Sequence, residues 1–374
     1  MRASSRMFES DFDRLLPRIR TKDAKRAGTP VAFTEQVAYE WLSKGGKRFR
    51  PFITLAAWHA ASGADPLTTG SETPEIPDAV ARVAMAIEAF HKASLVHDDI
   101  QDGDAYRYGR ETLHREFGSG QAINIGDYLI GLGYRLIHAA RELDTETAAD
   151  VLDSMSTAHI RLCDGQGAEM RWQQNPDWAI TPLDALQIYS LKTSPAFEAA
   201  LYAGLRMAGH PLAETDVVPQ FCRHVGVAFQ VLNDLKDWQG DRDNKMVAGQ
   251  DALALRPTVL LALALKDATC EQRAILRDVL SGPGAEKSEM IRIARIREVF
   301  EACDVFQKAQ LLIERSREKA IGLVESVDDE RVRELLQFFV DTVLAPEDVA
   351  KSEEAKDTAP LSVFVPLGVS SAAH

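Results

Sequence analysis

Asp98, Asp99, Asp102 and Asp104 fall within seven residues, in the run HDDIQDGD. Asp98 and Asp102 are four apart, so on a helix they share a face, and Asp99 sits about 100° round from Asp98. Carboxylates held side by side repel one another unless a cation stands between them. A hard divalent ion does this, and Mg2+ takes one or two carboxylates together with the phosphates of a substrate. A solvated helix end would carry the same acids, so this cluster alone decides little.

A second cluster changes the weighing. In FQVLNDLKDWQGDRDNK, residues 229–245, Asn233, Asp237 and Asp241 fall at i, i+4 and i+8, with Asp234 beside them. Apolar runs lead into both clusters, VARVAMAIEAFHKASLV into the first and FCRHVGVAFQVL into the second. Two apolar helices that each end in acids point to a deep apolar cavity with metal at its mouth. The matching ligand has a phosphorylated head and a hydrocarbon tail. Cations complete the set. GGKRFRP supplies Lys47, Arg48 and Arg50 behind a Gly-Gly pair, Arg107 and Arg110 follow the first cluster, Lys192 sits in LKTSP and Lys245 follows the second cluster. Each alone reads as a solvated surface charge.

The elements that must position these residues read as helices. Val80, Val83, Ile87, Phe90 and Ser94 recur at three- and four-residue steps, which places them on one face. Similar patterns predict helices over 121–142, 146–172, 183–208, 214–238, 257–264, 289–302 and 304–326, and no convincing alternating strands appear. A Gly, Pro, Ser and Thr-rich stretch near 62–77 and SGPGAEK at Ser281 read as turns. The fold class is therefore all-α, one large helical domain over 1–344 around a central cavity. Residues 345–374, with prolines, small residues and charge but no helical period, read as a flexible or surface-packed tail.

Composition is that of a globular protein: 374 residues, 45% apolar, 26% charged. The net charge of -13 argues against a nucleic-acid surface, which needs a basic stripe. Cys163, Cys222, Cys270 and Cys303 are scattered without metal-ligand spacing and read as small buried residues of a reducing compartment. MRASSRMFES lacks the apolar core of a signal peptide, and the longest apolar run, 259–265, is too short to cross a bilayer. A cytoplasmic protein without a transmembrane segment is expected.

Taken in order, GGKRFRP, HKASLVHDDIQD, RYGRETLHREFG, AINIGDYL, GQGAE, LKTS, FQVLNDLKDW and an NK…GQD…RPT stretch carry a resemblance. Over about residues 35–330 the chain resembles the trans-isoprenyl diphosphate synthases of the polyprenyl synthetase family, the geranylgeranyl diphosphate synthases in particular. The resemblance implies an all-α bundle of the isoprenoid synthase type I fold and a homodimer, to which 121–142, apolar and rich in small residues, could contribute. It implies a prenyltransferase that condenses an allylic diphosphate with isopentenyl diphosphate, using Mg2+, three ions with bound diphosphate. Asp98, Asp102 and Asp234 map onto the usual ligands, with Asp99, Asp237 and Asn233 also in the motifs. Arg107, Lys192 and Lys245 look like the cations that hold the allylic diphosphate. Lys47, Arg50 and His91 look like the set for isopentenyl diphosphate. Gln230 and Thr193 match positions whose oxygens line the reacting carbon. The departing diphosphate serves as base in the family, so no side-chain base is assigned.

Two departures keep other readings open. The family pattern has a second arginine where this chain has Tyr108, which carries no charge at pH 7. A raised KM for isopentenyl diphosphate follows, with Tyr108→Arg lowering it. The second acidic motif opens with Asn233 where the pattern has Asp. Asn233, Asp237 and Asp241 imitate the metal motif of class I terpene synthases, so a cyclase that ionises an allylic diphosphate is the alternative. A non-catalytic regulatory subunit of a prenyl synthase is a third reading. Product length should be set by the helix leading to Asp98. Ser94, Phe90 and Ile87 lie four, eight and eleven residues before it, roughly 6, 12 and 17 Å down the axis at 1.5 Å per residue. Ala93 and Ser94 are small and let the tail pass. Phe90 is the first large group and the expected floor, for a main product of about twenty carbons, with twenty-five or thirty if other helices leave room.

Overall fold

The computed structural model describes residues 29–43, 45–46, 48–63, 76–176, 178–239 and 249–344. Helices α1 (Phe33–Ser43) and α2 (Phe49–Ala61) flank a turn at Gly45 and Gly46, and α3 (Asp78–Asp102) follows. A two-stranded hairpin, β1 (Tyr106–Arg107) and β2 (Arg110–Glu111), leads to α4 (Leu113–Phe117), α5 (Ser119–Ala139) and α6 (Thr145–Gln174). Next come α7 (Pro182–Lys192), α8 (Ser194–Met207), α9 (Val217–Gln239), α10 (Gln250–Leu253) and α11 (Val259–Asp267). The last described helices are α12 (Cys270–Ser281), α13 (Glu289–Ala302), α14 (Val305–Glu325) and α15 (Glu330–Val343). None of the described helices is long and apolar enough to cross a membrane.

The bundle is organised by α3. It packs most extensively on α5, and also on α2 and α8, while α8 in turn packs on α6 and α9. Its buried Ala79, Ala81, Ala84, Ala86, Ala89 and Ala93 keep its surface low, so neighbouring helices approach on more than one side. α5 answers the two large side chains of α3 with glycines. A Cβ on Gly133 would come within 2.5 Å of the Phe90 ring, and one on Gly126 would strike the His97 imidazole. Phe90 and His97 are therefore seated in notches two helical turns apart.

α3 stops because Gly103 takes the left-handed conformation (φ 69°) and its N–H bonds back to the carbonyl of Asp99, the ordinary αL end of a helix. Asp98, Asp99 and Asp102 thus occupy its last turn, and Asp234 and Asp237 the last two turns of α9. Helix C-termini are the negative ends of the macrodipole. Acids placed there lose stability unless cations neutralise them.

Three expectations need correction. The helix predicted over 183–208 is two helices, broken at Thr193 (φ −123°, ψ −49°). Pro195 lacks the N–H that a continuous helix would need and its ring crowds the preceding turn. A hairpin, not anticipated from alternation, joins α3 to α4, because its strands are only two residues each. Its turn carries positive φ at Tyr108 (53°) and Gly109 (74°), as a two-residue type I′ turn requires. Of the four cysteines, all unpaired, Cys222 and Cys303 are buried but Cys163 and Cys270 are exposed.

Candidate active site

A cavity of about 350 Å³ runs between α3, α6 and α8. Asp98, Gln101, Gln166 and Lys192 line its polar end, with Arg50 and His91 on one wall. Ile87, Phe90, Met155, Leu162 and Ala199 supply apolar wall further in, and Met170 lines it beside the polar end. The spacing of Asp98, Ser94, Phe90 and Ile87 is realised, since all four line the cavity. Ala93 is not among the lining residues and is buried in the core; five positions before Asp98 is about 140° round the helix.

Phe90 is half-buried at the cavity wall. Its ring meets Tyr134 edge-on at 5.1 Å between centroids and His159 at 5.8 Å. With Gly133 against one face of the ring, the side chain cannot retreat toward α5. Gly133→Ala should therefore push the Phe90 ring into the cavity and shorten the product. Chromatography of the products would check this; an unchanged distribution would show that α5 does not set the position of Phe90.

The first acidic cluster divides its labour. Asp98 faces the cavity, and burial pushes its carboxyl up to about 6, with Lys192 opposing and Asp102 adding. Asp99, 1% exposed, is turned away and forms a very close ion pair with Arg107, which also holds Asp104 at 3.0 Å. Asp99 and Arg107, expected on the metal and on the allylic diphosphate, are thus each engaged by the other. Asp102 meets Arg256 at 3.3 Å, and Arg256 also meets Asp251 at 3.4 Å. One guanidinium therefore ties the end of α3 to α10, and neither Asp102 nor Asp234 is among the residues that line the cavity.

The second cluster is also divided. Asp234 is buried in α9, and its carboxylate accepts from the Tyr189 hydroxyl. That hydroxyl in turn accepts from the N–H of Val259 at 2.8 Å. Burial holds the Asp234 carboxyl well above the usual carboxylate range, although the Tyr189 bond opposes this. Asp237, expected as a ligand, accepts from the N–H groups of Gln250 and Asp251 at 3.2 and 3.3 Å and so caps α10. Burial, with Asp251 adding, pushes it up to about 6. Asn233 is half-buried on α9. Lys47, Lys245 and Asp241 lie outside the described residues.

Among the remaining expected residues, Lys192 bonds Glu169 at 2.7 Å. Arg50 donates to His91 Nε2 at 3.0 Å; guanidinium has only donors, so His91 carries its proton on Nδ1. Burial, then Arg50 and Lys92, hold this imidazole well below its ordinary pKa, hence neutral. Gln230 Nε2 donates to Thr193 Oγ1; neither residue is among those lining the cavity.

Sequence reasoning missed Glu169, Tyr189, Asp251 and Arg256 as site members, and it missed Lys92. The overlooked signal for Lys92 was plain: Glu88 and Lys92 are charges one turn apart inside an otherwise apolar helix. Among the described residues no three carboxylates, imidazoles or thiols stand close enough to hold a metal ion unaided. The donors nevertheless fit Mg2+. They are carboxylates and amide oxygens, several of the carboxyls with raised pKa, and Glu169 Oε1 is a buried acceptor with no partner among the described residues. Mg2+ keeps few protein ligands and completes its shell with phosphate oxygens and water.

Residues 31–297 match the polyprenyl synthetase family. The chain is similar to the geranylfarnesyl diphosphate synthase of Aeropyrum pernix, 31% identical over 81% of this chain and 91% of that one. It is 28% identical to the octaprenyl diphosphate synthase of Escherichia coli (strain K12), over 83% of this chain and 90% of the other. A solved geranylgeranyl pyrophosphate synthase from Corynebacterium glutamicum, complexed with isoprenyl diphosphate and magnesium, has a TM-score of 0.76. It is 23% identical and the match covers 91% of this chain and 98% of that one, a likeness of fold.

Proposed function

The chain belongs to the polyprenyl synthetase family, and on that premise we propose that it extends an allylic diphosphate to a trans-polyprenyl diphosphate of about twenty carbons, the floor lying roughly 12 Å below Asp98. It is a transferase, and its reaction is the condensation of an allylic diphosphate with isopentenyl diphosphate. One observation supports the finer reading above all: a single cavity carries Asp98 and Lys192 at one end and Phe90 and Ile87 further in.

In this reading Asp98, Asp102 and Asp234 hold Mg2+, three ions with bound diphosphate, while Asn233 contributes at most a carbonyl oxygen. Bound metal would neutralise the charge that develops on the departing diphosphate. Lys192, held by Glu169 at the cavity wall, offers a preorganised cation to the same charge. Arg50 and the neutral His91 receive isopentenyl diphosphate on the adjoining wall. Ile87, Phe90, Met155 and Leu162 keep water from the allylic cation. Incorporation of labelled isopentenyl diphosphate tests the reading. Release of an unlabelled hydrocarbon would favour the cyclase alternative, for which Tyr108 and Asn233 are the motive.

The same reading includes a homodimer. α5 buries Ile125, Leu129, Leu132 and Leu136, yet leaves Ile123 and Tyr134 exposed, and α6 exposes Leu152 and Ile160. Apolar side chains facing outward along neighbouring helices suit a second copy. Light scattering should give twice the chain mass; a monomer at working concentration would contradict this.

A further inference from the structure

Lys92 sits in the middle of α3 with no exposed surface. Burying an ammonium is costly unless it is well partnered. Lys92 Nζ donates to the carbonyl oxygen of Gly45 at 3.0 Å. The Tyr108 ring lies over it, 4.3 Å to the centroid, and the Trp41 ring lies 5.5 Å away on another side. Such contacts favour a cation. One turn back, Glu88 is bonded to Arg48 at 2.7 Å, both side chains nearly inaccessible.

The enclosure is tight and held in uncommon backbone conformations. A Cβ on Gly45 would come within 2.6 Å of the Tyr108 ring. One on Gly46 would come within 3.2 Å of the Tyr108 hydroxyl oxygen and 3.5 Å of Lys92 Nζ. Arg48 and Tyr108 are two of four described non-glycine residues with positive φ, 55° and 53°. Such conformations persist where the surroundings over-determine them, and they gather at ligand clamps. Burial lowers the Lys92 pKa to about 7 against the pull of Glu88, and Arg48 and Arg107 lower it further. A neutral carbonyl is a weak acceptor for an ammonium among guanidinium groups. A phosphate oxygen makes a charge-assisted bond roughly twice as strong.

Resting on the prenyl-transfer reading above, we propose that Lys92 is a specificity-determining cation for isopentenyl diphosphate. It exchanges the Gly45 carbonyl for a phosphate oxygen at the Gly45–Gly46 turn, and the Tyr108 ring covers it while the Tyr108 hydroxyl donates a second bond. The charge that Tyr108 lacks is thus supplied from beneath its ring. Tyr108→Arg, which the sequence alone leads one to expect to lower the KM, then gains little.

The test is calorimetric titration of isopentenyl diphosphate into the full chain with Mg2+, alongside KM for both substrates. Lys92→Met should weaken isopentenyl diphosphate binding about 10- to 100-fold, the loss expected for one charged hydrogen bond, with the allylic KM moving less than about 3-fold. Tyr108→Arg should restore binding in the Lys92→Met background and strengthen it less than about 3-fold in the unaltered chain. Equal losses for both substrates in Lys92→Met would mark Lys92 as a strut for the turn and overturn the proposal. So would a tenfold or greater gain from Tyr108→Arg alone, a measurement that does not depend on Lys92→Met folding. Failure of the underlying reading looks different: Lys92-dependent binding of isopentenyl diphosphate without its incorporation.

Discussion

Replacing Asp98 by alanine should lower turnover by on the order of 10³-fold or more while the helix bundle stays folded. Asp98 is the acid of the first cluster that lines the cavity; Asp99 is engaged by Arg107 and Asp102 by Arg256. Its carboxylate sits at the negative end of α3, crowded by Asp102 and pushed up to about 6 by burial. Removing it therefore relieves repulsion, and the melting temperature should hold or rise by a few degrees. Asp234→Asn should lose turnover on the same scale and still accept the Tyr189 hydroxyl through its carbonyl oxygen. Steady-state kinetics with thermal melts checks both variants. Near-normal kinetics in either, with the fold intact, would remove that acid from the chemistry.

Product length is the second large effect. Phe90→Ala should lengthen the main product by at least one isoprene unit, and Ser94→Phe should shorten it. Both positions line the cavity on the Asp98 face of α3, about 12 and 6 Å below the mouth. Removing the Phe90 ring opens space that Gly133 and Tyr134 border. The ring is half-buried, so the stability cost should fall near or below the low end of the roughly 3–5 kcal/mol range for buried phenylalanines. A ring at position 94 would block the tail one turn below the diphosphate. Product chromatography with each variant reads both effects. Unchanged distributions in both would place the floor on another helix.

Helical period and the two acidic ends were legible because both are local. Apolar steps of three and four specify a helix face, and acids after an apolar run specify a polar helix end. Rotation about a helix is less constrained. Asp98 and Asp99 differ by about 100°, and the seating of α3 against α5, with the β1–β2 hairpin bringing Arg107 against Asp99, decides which one faces the cavity. The same holds for Ala93, whose place in the core follows from how α3 is seated among its neighbours. Asp237 caps α10, a four-residue helix too short for any periodicity to announce. The Arg256 bridge joins residues 154 positions apart, a closure that no local pattern encodes. Lys92 could have been read, since a lysine in an apolar helix is itself an anomaly that demands a partner.

The most direct measurement incubates the purified chain with Mg2+, labelled isopentenyl diphosphate and, in turn, dimethylallyl, geranyl and farnesyl diphosphate. The expected result is label in an acid-labile polyprenyl diphosphate from each starter, converging on about twenty carbons, the length that the position of Phe90 implies, and lost when Mg2+ is chelated. Consumption of the allylic diphosphate with no label in any product would contradict condensation in this cavity.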